Sequence, residues 1–366
     1  MATAPRTKTT ILSLQVMRAL AALAVVAYHV GIIMAEPKYG AMGQFERPTG
    51  LGWLGVNFFF VLSGFIICFA HARDIGQPRK LGPYLWRRFA RVYPAYWVFL
   101  TLFVVAALAG FGYVSFSTDW RNMLTAYTLV RFTDTPTLPL KVAWTLVFEV
   151  FFYGMFALLI VNRWLGIAAF AIWAAAIVWT SFIVGTTTIN LASAWAVNFL
   201  FGALAYWLFV RTTPRYGLPL LLGSGAALAL LLASPLFNAD IEAQQGAPGP
   251  LVLVGLLMMG VMLGGAMTER HRGYAPSRLM LLLGEASYSI YLVHSAVISA
   301  ICLIHARLMP GLLPQPVMFG VIFVGSTCAG VAAHLLVERP LVQLARRLPA
   351  GRWAQLPHEW LRRPIV

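Results

Sequence analysis

An arginine and a histidine stand inside the first long apolar stretch of the chain, where ionisable side chains are costly. Arg18 and His29 are eleven positions apart between Ile11 and Met34. On a helix, eleven positions make about three full turns, so both side chains lie on one face, roughly 16 Å apart along the axis. A guanidinium binds anions, and an imidazole can take a proton from a hydroxyl group. The plainer alternative lets Arg18 extend to the membrane surface and His29 bond a neighbouring helix.

The stretch "AWTLVFEVFFYGMF" carries a single polar stripe. Thr145, Glu149 and Tyr153 follow a four-residue spacing, which places them on one helical face. A carboxylate in lipid needs a partner, and a helix entering from the outside brings Glu149 to the depth of His29. We therefore predict that Glu149 orients the imidazole and fixes its tautomer, which makes His29 a general base. The alternative is a structural ion pair between the two helices.

A basic cluster lies in "YLWRRFARVYPAYW", at the predicted inner mouth of the third helix. Arg88 and Arg91 share one face at a three-residue spacing, and Arg87 lies beside them. Guanidinium groups close to the free N–H groups of a helix start suit phosphates. Such clusters also anchor helices to anionic lipid, and the spacing alone favours that second interpretation.

Further polar residues in apolar stretches are candidates to line the same cavity. Gly52, Gly55 and Gly64 allow close helix contact around Ser63, so packing is its simpler role. Ser287, Tyr291 and His294 lie on one helical face, either in a cavity lining or in a structural hydrogen-bond network. Glu338 falls near the inner arginines and is expected to form an ion pair there. The other histidines show no ligand spacing, and we predict no metal site.

The composition indicates an integral membrane protein. Hydrophobic residues make up 60% of the 366 residues and charged residues only 11%, whereas soluble proteins carry about a quarter charged residues. The three cysteines lie in apolar runs and build neither a disulfide framework nor a zinc site. The first apolar run is too long for the core of a signal peptide, so we expect it to be a retained helix.

Ten apolar runs have the length needed to span a membrane, roughly 20 residues. They are residues 11–34, 53–71, 89–112, 142–161, 165–184, 189–210, 217–236, 250–268, 279–306 and 316–338. With the N-terminus inside, the inner segments hold 20 of the 27 basic residues, the outer loops six, and a span the last one, Arg18. This is the positive-inside pattern, so the net charge of +15 reflects topology and not nucleic-acid binding.

The expected fold is therefore an all-α, polytopic membrane protein of about ten helices with both termini in the cytoplasm. We predict one domain over residues 1–366, with a basic N-terminal segment of ten residues and a basic tail over 341–366. No soluble domain is expected, because the longest outer loop, about 113–141, is too short to fold alone. Its middle, "WRNMLTAYTLVRF", is expected to lie along the outer membrane interface.

The chain resembles the acyltransferase-3 family of integral membrane acyltransferases, and most of all the branch that acetylates bacterial exopolysaccharides. Six motifs carry the resemblance in the family's order. They are Arg18 with His29; Gly52 to Phe65; Arg88 and Arg91 before Pro94; Trp144 to Tyr153; Leu283 to His294; and Glu338 to Pro340.

The resemblance implies a cytoplasmic acyl-CoA donor, usually acetyl-CoA, and a sugar hydroxyl as acceptor. The nucleotide would bind Arg87, Arg88 and Arg91, the pantetheine arm would pass Arg18, and the thioester would end near His29. His29 and Glu149 would be the catalytic residues, with Ser63, Tyr153, Ser287, Tyr291 and His294 lining the substrate cavity. The implied setting is the bacterial cytoplasmic membrane, with a surface glycan or lipid-linked oligosaccharide and membrane lipids as partners, and no metal or nucleic acid.

Two other functions stay open at the level of sequence. One is an acyltransferase whose acceptor is a small molecule such as an antibiotic. The other is a proton-coupled transporter of a lipid-linked or acidic solute, which would use the same buried charges as a relay. No inverted repeat or pair of half-helices supports the transporter.

Overall fold

The computed structural model describes residues 10–110, 116–133, 136–185, 190–237, 240, 247–308 and 312–347. These residues form helices and connecting turns, and the described part of the chain contains no β-strand. Residues 1–9 and 348–366, which hold most of the two predicted basic terminal segments, lie outside the described residues.

In the part of the chain that the structure describes, ten helices are long and apolar enough to cross a membrane, as the sequence predicted. Their helical cores are α1 Leu12–Ala35, α2 Gly55–His71, α3 Leu81–Leu108, α5 Trp144–Val161, α6 Arg163–Val178, α7 Val197–Arg211, α8 Gly217–Ala233, α9 Pro248–Arg272, α10 Arg278–Leu308 and α11 Gln315–Ala333. The shorter α-helices are α4 Trp120–Thr128, α12 Arg339–Arg347 and a single turn at Glu46–Thr49. We name the end of the bundle at which α1 begins the basic end, and the opposite end the far end.

The third spanning helix begins two turns earlier than the hydropathy pattern predicted. It starts at Leu81 instead of residue 89, with Pro83 in its first turn, where a missing N–H group removes no helical hydrogen bond. Arg88 and Arg91 therefore lie inside α3. The prediction that free N–H groups of a helix start lie beside them is wrong, because those groups are two turns away.

Close helix contacts surround α1, which carries the first ionisable pair. A Cβ atom at Gly52 or Gly55 would collide with α1 carbonyl groups, and one at Gly284 would collide with the carbonyl group of Gln15. These glycines bring α2 and α10 directly against α1. The two neighbours thereby fix which residues face Arg18 and His29.

The segment between α3 and α5 folds back against the middle of α3 instead of lying free along the interface. The carbonyl groups of the last turn of α4 accept hydrogen bonds from the side chains of Tyr93, Tyr96 and Trp97, at 2.6, 2.6 and 2.8 Å. Such carbonyl groups have no partner within their own helix. This docking stabilises α4 deep beside α3, and α5 starts only after it.

The start of α5 consequently lies well inside the bundle. Thr145, at the second position of α5, forms a 2.9 Å hydrogen bond with the hydroxyl of Tyr291. Tyr291 is thirteen residues into α10, about 20 Å from the basic end. This depth decides which residues the side chains of Thr145, Glu149 and Tyr153 can reach.

Candidate functional site

One cavity of about 910 Å³ brings together side chains of α1, α2, α3, α5 and α10. Its lining holds three guanidinium groups, one carboxylate, three tyrosines and several smaller polar and apolar groups. The lining residues are Arg18, Val56, Phe59, Phe60, Leu62, Ser63, Ile66, Ile67, Arg88, Arg91, Val92, Thr145, Leu146, Glu149, Tyr153, Ser287, Tyr288 and Tyr291. This volume includes space that is open to solvent, and the mixed polar and apolar lining suits a small-molecule ligand.

Arg18 reaches this cavity from α1 and is 8% exposed. Its guanidinium donates a 2.9 Å hydrogen bond to Ser287 and a 3.3 Å hydrogen bond to Gln15. No carboxylate pairs with it among the described residues. The structure thus directs Arg18 inward to α10, and the alternative in which it extends to the membrane surface is wrong.

Arg91 is held by a buried carboxylate. It forms a 2.6 Å ion pair with Glu338, which is 1% exposed. The same carboxylate accepts hydrogen bonds from Ser289 at 2.7 Å and from Nδ1 of His334 at 2.8 Å. The predicted ion pair between Glu338 and an inner arginine is confirmed, and its partners fix Arg91 at the cavity wall.

Arg88 is held by a chain of polar groups that the sequence analysis missed. It donates to Nε2 of His71 at 3.2 Å, and Nδ1 of His71 lies 2.8 Å from Asp74. This arrangement requires a neutral His71 that donates through Nδ1 and accepts through Nε2. The three-residue spacing of His71 and Asp74 was the available signal.

Arg87 is separated from its two neighbours. It is absent from the cavity lining, and its guanidinium lies 3.9 Å from Asp74. Helical periodicity does not separate them, since Arg87 lies only about 40° from Arg91 around the helix; the contact with Asp74 shows that the Arg87 side chain is directed away from the cavity. The predicted cluster therefore contributes two arginines to the cavity.

The predicted pair of Glu149 and His29 does not form. Glu149 accepts a hydrogen bond from Tyr153, and no hydrogen bond joins Glu149 to His29 in the described part of the chain. Thr145 lies level with Tyr291, and Glu149 follows Thr145 by four residues toward the basic end. Glu149 is therefore about 6 Å closer to the basic end than Tyr291 is. His29 contacts His294, which lies about 4.5 Å closer to the far end than Tyr291 does.

The stripe on α5 faces the cavity over its whole length. Thr145, Glu149 and Tyr153 all line it, and the ring of Tyr153 faces Arg88 at 5.7 Å. The hydroxyl of Tyr291 lies 3.1 Å from the carbonyl oxygen of Val142, in addition to its bond with Thr145. These contacts hold Tyr291 in the cavity lining at the level where α5 begins.

Of the remaining predicted lining residues, Ser63 and Ser287 line the cavity and His294 lies beyond it. Sequence reasoning missed Tyr288, which lines the cavity with its ring 5.4 Å from the guanidinium of Arg91. Its hydroxyl donates a 2.9 Å hydrogen bond to the carbonyl oxygen of Val92. The available sequence signal was its place inside the motif from Leu283 to His294, directly after Ser287.

Two histidines lie together beyond Tyr291. The rings of His29 and His294 are 4.7 Å apart between centroids and are inclined at 69°. Nδ1 of His29 lies 2.9 Å from the carbonyl oxygen of Val25, and Nδ1 of His294 lies 3.1 Å from that of Ile290. A carbonyl oxygen accepts only, so each ring carries its proton on Nδ1. The backbone, and not Glu149, fixes the tautomer of His29.

Comparisons with known proteins identify a family profile and two relatives that match the chain. The profile Acyl_transf_3, described as an acyltransferase domain, matches residues 11–335. The exopolysaccharide production protein ExoZ of Rhizobium meliloti is 29% identical over 313 residues, which are 82% of this chain and 93% of that protein. The peptidoglycan O-acetyltransferase OatA of Listeria monocytogenes is 30% identical over 173 residues, which are 42% of this chain and 25% of that protein. No solved structure gives a significant match.

Proposed function

Since the chain belongs to the acyltransferase family whose profile matches residues 11–335, we propose that this multi-pass membrane protein acylates a sugar hydroxyl. The donor is a cytoplasmic acyl-CoA, with acetyl or another short acyl group. The acceptor is an exopolysaccharide or another surface glycan, free or lipid-linked. The names of the two relatives support this choice, since one concerns exopolysaccharide production and the other O-acetyl transfer.

The observation that carries the proposal is the convergence of Arg18, Arg88 and Arg91 on one cavity. CoA carries a pyrophosphate and a third phosphate group, and guanidinium groups bind phosphates through paired hydrogen bonds. Glu149 faces them in the lining and Glu338 pairs with Arg91, so these three guanidinium groups and two carboxylates leave an excess of positive charge. The apolar side chains between these groups suit the uncharged arm of CoA, with Phe59 and Ile66 as examples.

The thioester would end near Tyr291, and His29 would act from the far side as the general base. Its Nε2 lone pair is free to accept a proton, because the proton of the neutral ring is on Nδ1. Nε2 takes the hydroxyl proton while the sugar oxygen attacks the thioester carbonyl carbon. The new C–O bond forms, the C–S bond breaks, and the proton passes from His29 to the departing sulfur. The products are an ester and free CoA.

The proposed orientation puts the basic end in the cytoplasm of a bacterium and the far end outside its inner membrane. Single cysteines replacing Arg272 and Asp240 in a cysteine-free protein test this directly. An impermeant thiol reagent added to whole cells should label the cysteine at position 240 and leave the one at position 272 unlabelled. The reverse pattern would contradict the cytoplasmic donor.

The function itself is tested with purified protein in lipid nanodiscs. Acetyl-CoA labelled in the acetyl group is mixed with surface polysaccharide isolated from a strain that lacks the gene. We expect labelled ester on the polymer, released by mild base, together with free CoA. If only a small molecule becomes labelled, that molecule and not a glycan is the acceptor. If the protein takes up solute and releases no CoA, it is a transporter and not an acyltransferase.

A further inference from the structure

The pair of His29 and His294 has an unusual set of neighbours for two polar side chains inside a membrane protein. His294 is fully buried at 0% exposure, and Tyr28 and Tyr291 are the other aromatic rings beside the pair, at 5.1 and 5.8 Å. Neither imidazole bonds a carboxylate or a guanidinium in the described part of the chain. The two rings are therefore each other's nearest ionisable partners.

One buried nitrogen of this pair has no hydrogen-bond partner among the described residues. Nε2 of His294 is buried and has no partner among the described residues, while Nδ1 donates to the carbonyl oxygen of Ile290. Nε2 of His294 is thus a buried lone pair. A buried acceptor without a donor is destabilising, so a donor that arrives during the reaction would recover this loss.

The proposed reaction supplies such a donor only at one moment. When His29 removes the proton of the acceptor hydroxyl, its Nε2 becomes an N–H donor on a charged ring. Nδ1 of His29 is already bonded to the carbonyl oxygen of Val25, so the new charge needs an acceptor on the other side of the ring. The ring of His294 is in edge contact with that of His29.

We propose that His294 is a positioning residue whose Nε2 accepts a hydrogen bond from protonated His29, an inference that rests on the proposed function above. The proton stays on His29 and returns to the thiolate sulfur, so no further reactant is needed. A neutral partner leaves His29 uncharged and basic in the resting state. A carboxylate there would bring a buried charge, which is costly without full pairing.

Two substitutions separate this role from packing. His294→Asn keeps an amide N–H near the position of Nδ1 and removes the acceptor at Nε2. His294→Gln places an amide oxygen near the position of Nε2, where it accepts a hydrogen bond without taking a proton. We expect His294→Asn to lower kcat by about 10- to 100-fold, the loss of one charge-assisted hydrogen bond, with the KM for acetyl-CoA unchanged. His294→Gln should recover most of kcat.

His305 offers a matched control on the same helix. It is 5% exposed, and neither of its ring nitrogens has a partner among the described residues, but it lies three turns beyond His294. His305→Asn should leave kcat unchanged. The proposal is wrong if His294→Asn keeps the wild-type kcat, if His294→Gln is no better than His294→Asn, or if His305→Asn causes an equal loss. A failure of the proposed function would differ, because the wild-type protein would then transfer no acetyl group.

Discussion

The arginine cavity and the histidine pair lie on opposite sides of Tyr291 and differ in how their polar groups are satisfied. The guanidinium groups of Arg18, Arg88 and Arg91 each have side-chain partners within hydrogen-bond distance. In the histidine pair, the backbone occupies one nitrogen of each ring, and Nε2 of His294 has no partner. The cavity holds its charges in place, whereas the pair leaves a base free.

This difference suits two separate tasks. A binding site gains from side chains that are already fixed, because less rotational entropy is lost when the ligand arrives. A general base must keep its lone pair accessible until the substrate is in place. The comparison predicts that substitutions in the cavity change donor binding and that substitutions at the pair change the rate of transfer.

The largest effect is expected at His29. His29→Gln keeps a polar side chain of similar size that cannot take a proton at neutral pH. We expect kcat to fall by about 10²- to 10⁴-fold, the usual contribution of a general base. The rate is measured as release of free CoA in the presence of acceptor. A folded His29→Gln protein with near wild-type kcat would leave His29 with a structural role.

The next effect is expected at Glu338, as a loss of stability. Glu338→Ala leaves the partly buried Arg91 without its counter-ion and removes the partner of Ser289 and His334. Removing one partner of a buried ion pair costs about 3–5 kcal/mol. Thermal unfolding of the detergent-solubilised protein should show a clearly lower Tm than the wild type. Glu36→Ala is the control, because Glu36 forms an exposed ion pair with Lys38. Equal Tm values for both variants would contradict a stabilising role of the contacts that Glu338 makes with Arg91, Ser289 and His334.

A smaller effect, on donor binding alone, is expected at Arg88. Arg88→Ala should raise the KM for acetyl-CoA by about 10- to 100-fold, since one charged hydrogen bond is worth about 1.5–3 kcal/mol. Arg87→Ala is the matched control, because Arg87 is adjacent in sequence and outside the cavity. It should change KM by less than about 3-fold, as surface charges usually do. Equal increases for both variants would indicate a lipid anchor or a long-range charge effect.

The smallest effect is expected at Glu149. Because Tyr153 and not His29 is its hydrogen-bond partner, Glu149→Gln keeps that bond and removes one negative charge from the arginine cavity. We expect kcat to change by less than about 5-fold, in keeping with a neutral replacement of one hydrogen-bonded group, and the KM for acetyl-CoA to fall. A kcat loss as large as that of His29→Gln would indicate that Glu149 acts directly with His29.

The sequence predicted more of the fold than of the site. Spanning helices follow from long apolar runs, and the common face of Arg18 and His29 follows from helical periodicity, which the contacts of both with α10 confirm. The depth of Glu149 could not be read in this way. Hydropathy does not reveal that α4 docks beside the middle of α3 and that α5 therefore starts inside the bundle. Contacts such as Arg88 with His71 join different helices, and spacing within one helix does not encode them.

Equilibrium binding of labelled CoA to purified wild-type, His29→Gln and Arg88→Ala proteins tests the division between cavity and pair most directly. The account predicts that His29→Gln binds CoA with the wild-type Kd, while Arg88→Ala binds about 10- to 100-fold more weakly. A His29→Gln protein that loses CoA binding, or an Arg88→Ala protein that keeps it, would contradict the separation of donor binding from proton transfer.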